Sequence, residues 1–482
     1  MDPRSINFLS EKNSLLIAPA GYGKTTFLAE ALEYLCPIVS TSILVLTHTH
    51  AGVASIKKKC AHINLGSKVE ITTISGFCQK IVLTFDGHLP CAKADGRPNF
   101  DKILKRACEI MKLKKPRLIL SKTYSHIIAD EHQDCSYMQH VFIRLCAFAI
   151  PLHIMADPLQ AIFGFNQERM VNFETDFSKF NCYNFLNTPW RWYQEDNNRL
   201  LGDSLNWLRA TLRSKTTLSL DKISGATFFI GESSESDFWI KLRKLISETS
   251  SKNLLILFPN GFEYQINTRA QRKTQFDLSH QFTLLESIDD KTFYQCAKIL
   301  DRCISSQSKE LFFESFIRLL NSVSLRKGDI DEWFNAKGVK RKTDWDKSIS
   351  AQKIQLLLKS IELSNYSVES IEALLKYLRY ELHFYPKRQE LLSAIFAIMR
   401  MKGGVSMYDN MIIHRNRIRV IGHKVEGNCI GTTLLTKGLE FEDVIIIDAH
   451  KIEDVNNLYV ALTRASKRLF IFSASAIWKP KL

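Results

Sequence analysis

The sequence predicts an α/β protein in which helices flank two parallel β-sheets, and three observations point to this class. Short apolar runs of strand length recur along the chain, and helical patterns with apolar residues three and four positions apart separate several of them. Hydrophobic residues make up 45% of the chain and charged residues 24%, which is a globular composition. A chain of 482 residues is too long for one ordinary core, so we expect two to four domains.

The strands of the first predicted sheet all come from the N-terminal third of the chain. They are expected at residues 15–18, 43–47, 69–73, 126–130 and 152–157. The second sheet is assembled from two separate parts of the chain, with early strands at 226–232 and 253–258 and late strands at 443–448 and 468–472. Helical segments between strands favour parallel pairing with crossover helices.

Between about 280 and 405 the composition turns helical, which predicts a helical subdomain inserted into the second sheet domain. The expected bounds are 1–185 for the first sheet domain, 186–280 with 405–482 for the second, and 281–404 for the helical insertion. A smaller insertion with weak periodicity is expected near 86–117, and the polar stretch 326–347 is expected to be an exposed loop.

The formal net charge of +15 favours a polyanionic partner, although solubility accounts for part of such an excess. The eleven cysteines form no C-x-x-C pair and show no zinc spacing, which is typical of a reducing compartment. The first twelve residues contain no signal-peptide core, and no apolar run approaches the ~20 residues needed to span a bilayer. We therefore expect a cytoplasmic protein without a membrane partner.

After the first predicted strand comes APAGYGKTT, residues 18–26, which we call the phosphate loop. Its two glycines permit a tight turn whose backbone N–H groups face a phosphate, and the helix that follows adds its positive N-terminal end. Lys24 supplies a positive charge near the terminal phosphates, and Thr25 offers a hydroxyl to magnesium. A glycine turn with a chance lysine is the alternative, but it does not explain the threonine or the strand–turn–helix context. The expected nucleotide-binding residues are Ala18, Pro19, Ala20, Gly21, Tyr22, Gly23, Lys24, Thr25 and Thr26.

The stretch DEHQD, residues 130–134, ends another predicted strand in adjacent carboxylates. Acidic residues are common at wet strand ends, so an isolated match carries little information. A phosphate loop, however, requires a metal held from a neighbouring strand. Asp130 is therefore expected to hold Mg²⁺, directly or through water, and Glu131 to polarise the water that attacks the terminal phosphate.

With these two sites, an ordered series of motifs resembles superfamily 1 DNA helicases of the UvrD/PcrA/Rep type. The series is LVLTHTHAGVASIKKK, ITTISGF, DEHQD, MADPLQAIFGF, LNTPWR, TTLLTKGLEF and NLYVALTRA, for the motifs Ia, Ib and II to VI. The resemblance covers roughly 1–260 and 405–482. It implies two RecA-like P-loop domains with reduced, mainly helical insertions, and ATP with Mg²⁺ as ligands.

The resemblance also implies roles for single residues in catalysis. Gln160 stands at the position that senses the γ-phosphate, and Glu440 at one that helps to hold the nucleotide. Arg191 and Arg464 stand at the positions of arginine fingers, which stabilise charge in the transition state. An arginine outside such motifs is usually a solvated surface charge.

For DNA, the resemblance implies that Thr47, Thr49, Thr73 and Phe165 face a single strand, with His48 in place of a stacking phenylalanine. Core packing is the alternative for a phenylalanine. The chain departs from the family pattern elsewhere, because residues 1–17 contain no adenine-reading glutamine, and motif IV keeps an aromatic residue, Trp190, but has lost its asparagine.

The sequence therefore predicts a DNA-dependent ATPase of the helicase type, compact because its insertions are reduced, that acts on single strands or duplex ends. The family resemblance implies movement from 3′ to 5′. The compact build resembles the helicase-like subunits of Gabija anti-phage systems, which implies a GajA-like TOPRIM/OLD-type nuclease as partner. The alternative is a regulatory subunit that senses nucleotide and DNA and controls a nuclease without processive unwinding. Both functions use the same residues, so the sequence does not separate them.

Overall fold

The computed structural model describes residues 2–61, 63, 68–89, 99–162, 169–249, 253–259, 282–285, 291–323, 330, 333–334, 348–384, 386, 388–401, 406–421 and 427–481. Within these ranges the predicted α/β class, with parallel sheets flanked by helices, is confirmed. No helix of the described ranges is both long enough and apolar enough to cross a bilayer.

The first sheet has six parallel strands in the order β3-β2-β4-β5-β1-β6. They are β1 (Asn13–Ile17), β2 (Ser42–Thr47), β3 (Val69–Thr73), β4 (Tyr124–Ala129), β5 (Leu152–Ala156) and β6 (Asn181–Tyr183). The first five lie at the predicted places. The edge strand β6 was not predicted, because its three residues, Asn-Cys-Tyr, carry no apolar run.

Helices cover both faces of this sheet, which explains why its strands are apolar without alternation. Leu16, Ile43 and Val45 lie in one buried cluster, whereas Leu15 and Leu44 lie in another. The first cluster includes residues of α1 (Pro3–Ser10), α2 (Lys24–Leu35) and α3 (His50–Lys59). The second includes residues of α4 (Ile74–Asp86), α5 (Phe100–Lys112), α6 (Lys114–Thr123) and α7 (Tyr137–Cys146).

Two sequence expectations about local order need correction. The segment near 86–117 was expected to be weakly periodic, yet α5 buries Ile103, Ala107, Ile110 and Met111 at helical spacing. The stretch 326–347 was expected to be an exposed loop and lies mostly outside the described residues. Its three described residues are apolar and buried, namely Ile330, Trp333 and Phe334.

The second sheet has the strand order β10-β11-β9-β12-β13-β8. Its strands are β8 (Ala226–Ile230), β9 (Leu254–Phe258), β10 (Thr283–Leu284), β11 (Cys429–Thr432), β12 (Phe441–Ile446) and β13 (Ala465–Ser473). The strand pairs β10–β11, β12–β13 and β13–β8 are parallel. A small antiparallel ribbon joins β7 (Leu218–Ser219) to β14 (Ile477–Trp478).

The remaining helices all follow residue 198. They are α8 (Arg199–Arg213), α9 (Ser236–Glu248), α10 (Lys291–Ile304), α11 (Lys309–Ser322), α12 (Ile349–Leu363), α13 (Val368–Lys376), α14 (Gln389–Met399), α15 (Met407–Ile421), α16 (Thr433–Thr436) and α17 (Val455–Leu462). Helices α10 to α15 share one apolar core, in which Phe293, Phe316 and Ile395 are fully buried.

The chain divides into two compact units. The first comprises the described residues within 1–232, 257–262 and 432–482, and the second those within 233–256 and 263–431. The first unit holds the whole first sheet together with β8, β12 and β13, whereas the second holds the helical core. The domain bounds expected from the sequence stay a prediction.

Buried neutral histidines make the first unit sensitive to acid. In β5, His153 is fully buried, with Nδ1 2.8 Å from Ser14 Oγ, and burial together with His126 lowers the pKa of His153 to about 3. The unfolded chain takes up this proton below about pH 6.5 and the folded chain does not, so stability is present above that pH and is lost as pH falls toward 3.

We predict that His153→Asn, which keeps a polar partner for Ser14, reduces this acid sensitivity. Between pH 6.5 and 5.5 the free energy of unfolding should fall by about 1 kcal/mol more in the wild type than in the variant. The reason is that unfolding exposes a histidine that takes up a proton in the wild type but not in the variant. Urea denaturation at both pH values measures the difference. Equal pH dependence in the two proteins would contradict the assignment, and His88→Asn at an exposed site is the control.

Candidate active site

The phosphate loop connects the end of β1 to the start of α2, as predicted for a strand–turn–helix element. Gly21 and Gly23 have φ angles of 73° and 87°, a region that residues with a side chain rarely adopt. A Cβ atom at Gly21 would also lie 2.6 Å from a ring carbon of Trp192. Glycine is therefore required at Gly21 by backbone conformation and by space.

Lys24 lies inside the loop instead of pointing to solvent, with only 7% of the residue exposed. Its Nζ donates to the carbonyl oxygens of Ala18 at 2.9 Å and Pro19 at 3.1 Å. The ammonium group thus occupies the centre of the turn, where a phosphate oxygen can accept from the same donor.

Asp130 follows β4 and is buried close to this charge. Burial and the neighbouring Glu131 raise the pKa of Asp130, whereas Lys24 acts in the opposite direction. Glu131 has a φ of 52°, in the left-handed region, and its carboxylate accepts a hydrogen bond from the side chain of Gln133. The strand end therefore presents two adjacent carboxylates in different environments.

The residues at this point fit a magnesium ion. Within the described part of the chain, Asp130 Oδ1 is buried and has no hydrogen-bond partner, so it has an acceptor to offer. Thr25 lies in the first turn of α2. Mg²⁺ in phosphate sites is held by one or two protein oxygens, with phosphate and water oxygens completing the shell, so this small donor set suffices.

Arg191 lies directly over the phosphate loop. Its backbone N–H donates to Gly21 O at 3.1 Å, and Nη1 donates to Thr463 O at 2.6 Å. Its Nε is 3.0 Å from Glu440 Oε2, which is an ion pair, although the N–H is not aligned for a hydrogen bond. Arg191 and Glu440, both predicted from motifs, are therefore in contact.

Arg464, the second predicted arginine, is fully buried. Its guanidinium group donates to Val460 O and Leu439 O, both at 2.9 Å, and to Thr463 Oγ1 at 3.2 Å. Burial and the nearby Arg191 lower the pKa of Arg464 to about 9, whereas Glu131 is among the groups that counteract them. A guanidinium has five N–H donors, so two are left for a further acceptor.

Gln160 is linked to the phosphate loop through a buried network. Its Nε2 donates to Asp157 Oδ2 at 3.0 Å, and Asp157 Oδ1 accepts from Arg209 at 2.8 Å. The Tyr459 hydroxyl donates to Asp157 Oδ2 at 3.2 Å and accepts from Arg209 at 2.6 Å and from the backbone N–H of Ala20 at 3.1 Å. Burial alone would raise the pKa of Asp157, but Arg209 and then Lys24 outweigh it, so this carboxyl is ionised.

A second link joins the DEHQD stretch to the C-terminal part of the same unit. The ammonium group of Lys437 contacts the carboxylate of Asp134 and the backbone oxygen of Gln160. Burial raises the pKa of Asp134 to about 7 although Lys437 acts against it. Gln133 Oε1 accepts from the backbone N–H of Asp157 at 3.0 Å, which connects the two links.

Arg209, Tyr459 and Lys437 were not singled out from the sequence as site residues. For Arg209 a signal is present, because α8 buries a leucine stripe and Arg209 falls within it. The leucines of the stripe are Leu201, Leu205, Leu208 and Leu212. A charge inside an apolar stripe requires a buried partner. The identity of that partner, Asp157, is not readable from the helix pattern.

The residues expected to face DNA lie at the ends of β2 and β3, where Thr47 pairs with Thr73. Thr47 is only 1% exposed. Thr49 and Thr73 cap the N-termini of α3 and α4, each hydroxyl accepting from a glycine N–H at 3.0 Å. Burial and then Lys437 lower the pKa of His48 to about 4, so its ring is neutral at pH 7. Phe165 lies outside the described residues.

Comparison with known proteins adds a family resemblance to this geometry. Residues 3–90 and 91–181 match the family model of the UvrD/REP helicase N-terminal domain. Among solved structures, the chain is similar to the Pif1 helicase from Candida albicans, with 18% identity, coverage of 52% of this chain and 55% of that chain, and a TM-score of 0.29. The chain therefore spans about half the length of that helicase. No curated protein matches the sequence.

The matched residues include the phosphate loop, the DEHQD stretch and Gln160. The predicted resemblance to UvrD-type superfamily 1 helicases is therefore confirmed at the level of the N-terminal domain. The individual site residues stay predictions, which the arrangement described above allows to be tested.

We predict that Arg209→Ala strongly destabilises the protein. It leaves the ionised Asp157 buried without its counter-charge, which typically costs about 3–5 kcal/mol. Thermal unfolding followed by circular dichroism measures the effect. Arg213→Ala, one turn further along the helix on an exposed side chain, is the matched control and should change stability little. Equal losses in the two variants would argue against the ion pair as the cause.

Proposed function

We propose that the chain is a DNA-dependent ATPase of the UvrD helicase type, which hydrolyses ATP with Mg²⁺ and couples hydrolysis to movement on DNA. The observation that carries the proposal is the grouping of Lys24, Asp130 and Glu131 with Arg191 and Arg464 in one unit. The match of residues 3–181 to a helicase domain supports the same function.

In this proposal the triphosphate binds against the loop amides and the N-terminus of α2, where Lys24 neutralises its charge. Magnesium held by Asp130 and Thr25 would supply a further positive charge to the phosphates. Glu131 orients and polarises the attacking water. The hydrogen bond from Gln133 holds the Glu131 carboxylate in position while leaving it acceptor sites for that water.

Arg191 and Arg464 balance the negative charge that develops on the transferred phosphoryl group. Both are already held near the loop by backbone carbonyl groups, so little ordering is required when the nucleotide binds. Glu440, paired with Arg191, lies on the exposed side of that pair, where it can contact the ribose.

Trp190 is the residue best placed to hold the base. It is 58% exposed, and a Cβ atom at Gly23 would lie 3.2 Å from its indole ring. The ring therefore borders the loop with a free face. Stacking on this face is the means by which a chain without the upstream glutamine can hold adenine.

In this proposal, the buried hydrogen-bond network around Asp157 couples ATP hydrolysis to movement. Gln160 contacts Asp157, and Tyr459 joins Asp157 to the Ala20 amide of the loop. If Gln160 changes its hydrogen-bond acceptor when the terminal phosphate is released, its bond to Asp157 changes. That change alters the bond between Asp157 and Tyr459, which lies in the C-terminal part of the same unit. Packed hydrogen-bonded networks of this kind convert small shifts into a change between discrete arrangements.

The DNA contact is proposed at the ends of β2 and β3. The N-termini of α3 and α4 follow neighbouring strands, and such ends attract phosphates. The hydroxyl of Thr49 accepts an amide proton and still has its own proton to donate. Movement from 3′ to 5′, an anti-phage role and a nuclease partner are the parts of the proposal that rest on the sequence resemblance. A cytoplasmic location rests on the cysteine pattern and composition of the sequence.

We predict that Glu131→Gln abolishes turnover while leaving ATP binding intact. Removal of the water-activating carboxylate should lower kcat roughly 10²–10⁴-fold. The measurement is phosphate release by the purified chain with and without single-stranded DNA, alongside Glu30→Gln on the exposed face of α2 as control.

The proposal expects DNA to stimulate the wild type and the control but not Glu131→Gln. Hydrolysis that is lost in Glu131→Gln but indifferent to DNA would retain the ATPase and overturn the DNA-dependent motor. Unchanged hydrolysis in Glu131→Gln would overturn the role assigned to this carboxylate.

We also predict that Trp190→Ala raises the KM for ATP by roughly 5- to 100-fold with little change in kcat, since stacking on an aromatic ring is worth about 1–3 kcal/mol per base. The exposed Trp207 on α8 supplies a matched control, Trp207→Ala, which should leave the KM unchanged. Steady-state kinetics with ATP distinguishes the two. Equal effects would show that loss of a surface tryptophan, and not loss of stacking, is responsible.

A further inference from the structure

A cavity of about 460 Å³ lies beside the phosphate loop and under α8. Its wall is formed by Ile17, Pro19 and Tyr22, by residues between 182 and 187, and by one face of α8. None of the functions proposed above uses this cavity. Its volume falls within the range of about 300–1,000 Å³ that is typical of small-molecule sites.

The wall of the cavity carries an excess of positive charge. Arg209 and Arg213 both line it, four residues apart on α8, and no acidic residue does. Arg209 is balanced by Asp157 at 2.8 Å. The guanidinium group of Arg213 forms no hydrogen bond or ion pair with the residues that the structure describes. Its side chain is partly exposed, and partial burial together with Arg209 lowers the pKa of Arg213, although Asp157 acts in the opposite direction. An anionic ligand can therefore pair with the Arg213 guanidinium without first displacing a carboxylate of the protein.

The rest of the wall suits a planar polar group. Three carboxamides line the cavity, those of Asn184, Asn187 and Asn206. Each offers a donor and an acceptor, the pair needed to read the edge of a heterocyclic base. The Tyr22 hydroxyl donates to Asn206 Oδ1 at 3.2 Å, which fixes that carboxamide and leaves its Nδ2 protons for a ligand. Pro19 and Leu186 provide apolar surface beside these groups.

We propose that this cavity is a second nucleotide site, which binds a nucleoside phosphate with its phosphate on Arg213 and its base among the three asparagines. One arginine without a carboxylate partner, Arg213, beside a concave wall fits one mononucleotide. A nucleic-acid strand would instead require a row of phosphate contacts.

The position of the cavity gives its occupant a route to the catalytic centre. Tyr22 belongs to the phosphate loop, and Arg209 holds Asp157 and Tyr459 on one side while lining the cavity on the other. A phosphate near Arg213 also attracts Arg209 and so weakens its hold on Asp157. The occupant therefore regulates the loop through the network to which Gln160 belongs.

The test is direct binding of radiolabelled ADP by equilibrium dialysis, which requires no hydrolysis. We expect two ADP molecules per wild-type chain. The variant Lys24→Ala, which disables the phosphate loop, should bind only the ADP in the cavity. The variant Arg213→Glu should bind only the ADP at the phosphate loop. In the Lys24→Ala background, Arg213→Glu should weaken the remaining binding at least roughly tenfold, because a charge-assisted hydrogen bond is lost. Retention of that binding in Arg213→Lys would identify the positive charge as the cause.

Arg199→Glu is the matched control, a charge reversal at the other end of α8 that should leave both sites intact. Thermal unfolding of each variant establishes that it folds. One ADP per wild-type chain, weakened by either Lys24→Ala or Arg213→Glu, would mean that the cavity is the far end of the loop site and would overturn the proposal. So would a loss, in Arg213→Glu, of single-stranded oligonucleotide binding but not of ADP binding. Two sites in a chain that lacks ATPase activity would uphold the inference although the proposed function fails.

Discussion

The buried ion pair between Asp157 and Arg209 is the interaction on which the surroundings of the phosphate loop depend. Asp157 has no exposed surface and is ionised, so its charge must be met inside the protein. Arg209, Tyr459 and Gln160 meet it, and each comes from a different part of the chain. These three parts cannot separate without stranding a carboxylate, which fixes their positions around the loop more strictly than apolar packing would.

Around this ion pair, the other charged groups of the site are only partly balanced by their neighbours. Asp130 and Asp134 are buried carboxylates with raised pKa values, and Lys24 and Lys437 lie beside them. Arg191 and Arg464 add two positive charges that their neighbours only partly balance. The described groups thus combine buried carboxylates with several positive charges in one part of the first unit.

Much of the fold and of the candidate site could be predicted from the sequence, because these features depend on short stretches of the chain. The five apolar strands, the glycines of the loop and the carboxylates after β4 each follow from a short pattern, and the motif series carried the arginines. The amphipathic spacing of α5 was present but was underestimated, because lysines flank its apolar positions. The edge strand β6 has no pattern of its own and exists because β1 offers it a partner.

Other features depend on pairs of residues that lie far apart in the chain. The contact of Ala20 with Tyr459 spans 439 positions, and that of Asp134 with Lys437 spans 303. No periodicity records such pairs, although a charge within an apolar stripe, as at Arg209, shows that a partner must exist. The cavity beside the loop is similarly invisible, since it is formed by three segments that are unremarkable when taken singly.

The backbone at Glu131 has a consequence for how this protein can change over time. With a φ of 52°, the residue occupies a conformation that costs an ordinary side chain roughly 1 kcal/mol and glycine almost nothing. Substitution by glycine would relax the turn and remove the carboxylate in one step. Selection for stability alone would therefore favour glycine at this position. If Glu131 acts as proposed, selection for ATP turnover would instead retain the carboxylate despite its backbone strain. The residue found there reports which of the two pressures has acted.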